Sequence, residues 1–162
     1  MIKYIRGMVN GGSISTVMKT ELPPKVYQRE KRFRPDAKLV NVVYEMLNFQ
    51  LFNSTLTRPQ IILRQHRNQF GQTLCYTQRV RRGTDCVIDI SDKWYCVQWL
   101  IAVLSHEMIH QYQWDLRQDS EIDFHGSTFY EWSTKFSEHD IPLSPTYDGD
   151  YWLSHQKFKE QV

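Results

Sequence analysis

Trp99-Leu100-Ile101-Ala102-Val103-Leu104-Ser105-His106-Glu107-Met108-Ile109-His110 is the stretch on which the reading of this chain turns. Its first six residues are apolar without a break, and the run from about Lys93 to Trp114, with Ser91 or Asp92 as cap, predicts a helix apolar nearly all round. Such a helix passes through the middle of its domain. His106 and His110 stand four residues apart, so on a helix both imidazoles project from one face and can reach one ion. Glu107 lies about 100° round the helix from His106, which leaves it outside the ligand set and able to hold a water as general base. That is the spacing of a zinc hydrolase site. With this composition the HExxH pattern arises by chance roughly 0.01 times per chain. The bland alternative is a pair of hydrogen-bonded core histidines with Glu107 facing solvent. Against it, burying Glu107 and two imidazoles in the most apolar helix is costly without a compensating cation.

A catalytic zinc needs a third protein ligand and an open fourth position. His125 follows His110 by fifteen residues, in Asp123-Phe124-His125-Gly126-Ser127, where Gly126 lets the backbone turn sharply toward the helix. Glu121, Asp123 and Glu131 are carboxylate rivals for the third place. The expectation is one zinc per chain held by His106, His110 and His125, with Glu107 catalytic. His66, His139 and His155 sit in polar segments and read as surface side chains. Tyr112, Tyr130, Tyr147 and Tyr151 are unranked candidates for stabilising an oxyanion. Asp119, Glu121 and Asp123 are candidates to accept a ligand imidazole N–H.

Outward from this helix, Asp36 opens a first amphipathic helix in which Leu39, Val42, Val43, Met46 and Leu47 recur at helical spacing up to about Phe52. Three short strands are expected at Gln60–Arg64, Gln72–Gln78 and Cys86–Ile90, the last entered through the turn-like Arg81-Arg82-Gly83-Thr84-Asp85. Tight connections between successive strands imply a mostly antiparallel sheet. Phe129, Trp132 and Phe136 predict a third helix ending before Pro142. The fold expected is α+β, with a small mostly antiparallel sheet, three main helices and the HExxH helix central. Residues 1–35 show no clean period and read as a basic arm or linker, and residues 36–162 as one domain with a C-terminal tail.

The net charge of +2 hides an asymmetry: Met1 to Arg82 sums to +11 and Gly83 to Val162 to −9. Arg29, Lys31, Arg32 and Arg34 in the arm, with Arg79, Arg81 and Arg82 before the third strand, form a basic set that can meet phosphates, and Phe33 and Tyr76 can stack on unpaired bases. Weak, nonspecific binding of single-stranded DNA is therefore expected. Cys75, Cys86 and Cys96 are odd in number and lack CxxC spacing, which argues against a disulfide framework or zinc ribbon and for a reducing, cytoplasmic setting. No run approaches the roughly 20 apolar residues of a membrane span, and the N-terminal stretch has no continuous apolar region of a secretory signal.

HEMIHQY at His106 to Tyr112, FHGSTF at Phe124 to Phe129, and the preceding helix, LTRPQIIL segment and IDIS strand together resemble the SprT-like zinc metallopeptidases, which include the Spartan-like protease domain. The likeness covers about Asp36 to Ile141. It implies a compact zincin-like domain with metal ligands at His106, His110 and His125 and Glu107 as catalytic residue. It also implies proteolysis, in some members of proteins on DNA. The short build is similar to bacterial or phage-encoded members. The competing expectation is a nucleic-acid-binding or virion-assembly protein that keeps zinc as a structural brace; a non-peptide hydrolase is a third.

Overall fold

A computed structural model describes residues 13–19, 31, 33–66, 71–75, 86–117 and 123–147. In chain order the elements are α1 (Ile14–Met18), α2 (Ala37–Phe52), β1 (Gln60–Arg64), β2 (Gly71–Cys75), β3 (Cys86–Ser91), α3 (Val97–Tyr112), α4 (Ser127–Tyr130) and α5 (Ser133–Glu138). A π-helical turn, Gln113–Arg117, continues α3.

The Asp36 carboxylate caps α2 by accepting from the Leu39 N–H at 2.7 Å, the interaction that satisfies an orphan donor of a first turn. Asn53 ends the helix in the left-handed region at φ 52°, a conformation that asparagine tolerates well. One face of α2 buries Val40, Val43, Tyr44, Leu47 and Leu51 and packs on α3 and β1. The helix expected from Lys93 begins only at Val97. Trp94 is held extended by backbone bonds to Phe33 in both directions, at 2.8 and 3.0 Å.

The class is α+β as expected, but the mostly antiparallel sheet is not borne out. Strand order is β1-β3-β2, with β1 parallel to β3 and β2 antiparallel to it. The chain crosses from one edge to the other between β1 and β2, and β3 then fills the vacant middle. A strand antiparallel to β2 in that place must run parallel to β1. The middle strand reads Cys-Val-Ile-Asp-Ile-Ser, and Ile88, Asp89 and Ile90 are all buried, because both faces of the sheet are covered.

Ile88 and Ile90 share a sheet face with Thr73 and Gly71, their direct partners on β2, and this face meets α3. Asp89 points the other way, where Arg64 and His66 pair with it, His66 Nε2 lying 2.8 Å from Oδ1. The surface reading of His66 is corrected: its side chain is buried against a carboxylate 23 residues away, which polar neighbours in sequence do not reveal.

Two parts of the segment read as an arm belong to the core. Ile14, Val17 and Met18 of α1 are buried, and Phe33 packs against the main cluster. The helix expected around Phe129–Phe136 is two short ones, broken at Glu131–Trp132. Cys86 is disulfide-bonded and Cys96 is a free, buried thiol, so a bridge is present although the cysteine count argued against a disulfide framework. No described helix is long and apolar enough to cross a membrane.

Candidate metal centre

His106 and His110 leave the same face of α3, one turn apart, and their Nε2 atoms lie 3.0 Å from each other. His125 closes the group from the loop before α4, its Nε2 3.2 Å from that of His106. Among the described residues this is the cluster of His, Cys, Asp or Glu able to hold a metal ion, with one ligand atom from each residue and all within 4.8 Å of one another.

The loop geometry that delivers His125 is local. Asp123 Oδ1 accepts from the His125 N–H at 3.2 Å, and the Gly126 N–H donates to the Asp123 carbonyl at 3.1 Å. A Cβ at Gly126 would sit 3.1 Å from both the Asp123 carbonyl and its Oδ2, so a side chain there would crowd the turn and push Asp123 aside. Phe129 lies beneath the three rings, fully buried, with centroids 4.9 Å from His106, 5.6 Å from His110 and 4.9 Å from His125.

Hydrogen bonds settle which nitrogen of each helical histidine carries its proton. His106 Nδ1 lies 2.9 Å from the Ser144 carbonyl, which only accepts, so Nδ1 is the N–H and Nε2 keeps its lone pair. His110 Nδ1 faces Gln113 Oε1 at 2.9 Å with the same result. Two imidazole lone pairs thus converge at 3.0 Å, repulsive unless a cation lies between them. Burial holds the His106 pKa down to about 3, helped by the neighbouring His110 and opposed by the Ser144 carbonyl. His110 is lowered to about 4, again mainly by burial, and His125 is lowered by burial against the pull of Asp123. The three side chains stay neutral near pH 7, the form that ligates a metal, so the residues fit zinc.

Glu107 is 5% exposed and faces β2. Thr73 Oγ1 lies 2.7 Å from its Oε2 and 2.9 Å from its backbone carbonyl, the single hydroxyl proton serving both. Burial raises the Glu107 carboxyl to about 7, against the lowering effect of the Thr73 hydroxyl. Gly71 lets the strand approach: a Cβ there would lie 3.3 Å from Glu107 Oε1 and 3.1 Å from Ile90 Cγ2.

A family model, the SprT-like family, matches residues 40–147. The chain belongs to the SprT-like family. Its match covers every residue of the site just described. Among curated proteins, none matches the sequence.

The groups that orient this SprT-like site lie outside its sequence motifs. Asp123 binds a backbone N–H and not a ligand ring; Asp119 and Glu121 lie outside the described residues. The ring N–H groups go instead to Gln113 and to the Ser144 carbonyl. Gln113 had a readable signal, being three residues after His110 and so on its face; a carbonyl has none. Thr73 had only its place on a strand. Of the tyrosines, Tyr147 is buried and donates to the Pro142 carbonyl at 2.7 Å. Tyr112 packs on Phe52 and Trp132, Tyr130 is 46% exposed beside Phe129, and Tyr151 lies outside the described residues. Among the basic residues, Lys31 sits 5.5 Å over the Tyr95 ring and Arg34 is exposed. Arg29, Arg32, Arg79, Arg81 and Arg82 lie outside the described residues.

Proposed function

We propose that this chain is a zinc-dependent endopeptidase acting on protein substrates, nucleic-acid-associated proteins among them. His106, His110 and His125 hold the metal and Glu107 is the general base. The observation that carries the reading is the convergence of imidazole lone pairs beside a buried carboxyl whose pKa is raised to about 7.

When bound, zinc would supply Lewis acidity, lowering the pKa of water and polarising the scissile carbonyl. His106 and His110 present Nε2 because their Nδ1 protons are committed to Ser144 and Gln113. Glu107, with Oε2 anchored by Thr73, takes a proton from the attacking water as the oxygen adds to the carbonyl carbon. It returns the proton to the nitrogen as the C–N bond breaks and the amine leaves. Burial raises the Glu107 pKa in the metal-free site and a bound cation would lower it again, so the carboxylate needed to accept the proton is favoured once the metal is held. His106 and Glu107 are buried while His110 and His125 are partly exposed, so substrate approaches from the His125 side.

The alternative, a nucleic-acid-binding protein with a structural metal, draws on the +11 and −9 halves of the chain. It leaves the burial of Glu107 without purpose, because a closed structural site needs no water-activating carboxyl. Incubating wild type and Glu107→Gln with an unfolded protein, with and without single-stranded DNA, separates the two on a gel. Cleavage by wild type and none by the variant is expected. Binding of DNA with no cleavage by either would favour the alternative.

A further inference from the structure

Gln113 begins the π-helical turn that extends α3, and such turns recur at functional sites. It is 3% exposed, and its amide has no spare capacity in the directions that matter. Nε2 donates to the Phe124 carbonyl at 3.1 Å and to Thr128 Oγ1 at 2.9 Å. Oε1 accepts from His110 Nδ1 at 2.9 Å. A flipped amide would set its oxygen against the Phe124 carbonyl, two acceptors face to face, so the orientation is fixed by chemistry. With the orientation goes the tautomer of His110. Phe124 directly precedes His125, and Thr128 follows it by three residues in α4. The same side chain therefore grips the third-ligand loop on both sides of His125.

We infer that Gln113 is a positioning residue that couples the second and third metal ligands, setting the His110 tautomer while tying the His125 loop to α3. The inference rests on the metal reading above. It assigns to one amide what two separate groups would otherwise do, and it makes the His125 loop part of the helix's own hydrogen-bond system. Without it, His110 can turn or change tautomer, and the His125 loop loses its side-chain tether to α3 and keeps the packing of Phe129.

The test uses the whole chain. Gln113→Met keeps the volume and removes all three contacts; Gln113→Glu keeps an acceptor for His110 and loses the donor to Phe124. Thr128→Val removes one tether and spares the His110 contact, which keeps the question answerable should Gln113→Met not fold. Zinc affinity is read by competition with a chromophoric chelator, and histidine tautomers by 15N NMR of chelator-treated protein at pH 8. Gln113→Met should bind zinc roughly 10- to 100-fold more weakly, the usual effect of losing an outer partner of a ligand, with His110 spread over both tautomers. Gln113→Glu should retain the single Nδ1–H form yet bind zinc at least several-fold more weakly, and Thr128→Val should also bind more weakly. Wild-type zinc affinity in all three variants would overturn the inference, as would an unchanged His110 tautomer in Gln113→Met. A wild-type chain that binds no zinc while holding His110 in the Nδ1–H form would instead fail the metal reading, and the coupling of ligands with it.

Discussion

Replacing Glu107 by Gln should stabilise the metal-free protein at alkaline pH and leave its stability unchanged in acid. The folded carboxyl has its pKa raised from 4.5 to about 7 by burial. A group whose folded pKa is raised contributes fully below its unfolded value, here 4.5, and that contribution is lost as pH rises through about 7. By pH 8.5 the wild type has to keep a carboxylate in an apolar setting, a penalty of about 3 kcal/mol at 1.36 kcal/mol per pKa unit. The Glu107→Gln side chain carries no such penalty, and its amide oxygen can still accept from the Thr73 hydroxyl, 2.7 Å from Oε2 in the wild type. The assay is urea unfolding of chelator-treated protein, followed by tryptophan fluorescence, for both chains between pH 4.5 and 8.5. Their difference in unfolding free energy should climb from near zero to about 3 kcal/mol. Histidine titration is common to both chains and cancels. Added zinc should shrink the difference, because a nearby cation favours the carboxylate. A difference that does not vary with pH, or a variant less stable than wild type at pH 8.5, would refute the burial argument.

His106→Ala, His110→Ala and His125→Ala should each lose zinc in elemental analysis, and the wild type should release it in acid. With folded pKa values held down to about 3 and 4 for His106 and His110, the contribution of these two histidines to the stability of the metal-free chain is full above 6.5 and declines as pH falls toward those values, which acid titration of the Glu107→Gln chain by circular dichroism checks free of the carboxyl's own titration. Phe129→Ala empties a fully buried site beneath all three rings. It should cost about 3–5 kcal/mol in urea unfolding and weaken zinc binding in the same protein. Fluorescence anisotropy with a labelled single strand should show affinity falling with salt at a log-log slope of about −0.7 per phosphate neutralised, and Arg81 and Arg82 changed together to Glu should reduce it.

The HExxH pair was legible because helix geometry alone converts a four-residue spacing into a shared face, and His125 because Gly126 marks a tight turn next to it. Both signals are local. What escaped was non-local: β3 inserts between β1 and β2, and Asp89 draws His66 inward from 23 residues away. No periodicity within a strand encodes its neighbours. Likewise α1 docks through Ile14, Val17 and Met18, three apolar residues in a segment too short and too interrupted by glycine to show a period. The site divides along the same line. Its three histidines and Glu107 stand in the motifs, whereas the groups that hold them include a backbone carbonyl at Ser144 and a hydroxyl on Thr73, which sequence cannot distinguish from any other carbonyl or threonine.

The proposed peptide hydrolysis runs through one zinc held by these three histidines, with Glu107 moving the proton. It is tested most directly by stripping the protein with chelator and following cleavage of an unfolded protein as zinc is returned in steps. Cleavage should rise to a plateau at one zinc per chain in the wild type and stay near zero in Glu107→Gln at equal zinc content. Cleavage that persists in the stripped protein, or a Glu107→Gln chain that recovers wild-type turnover with zinc, would contradict it.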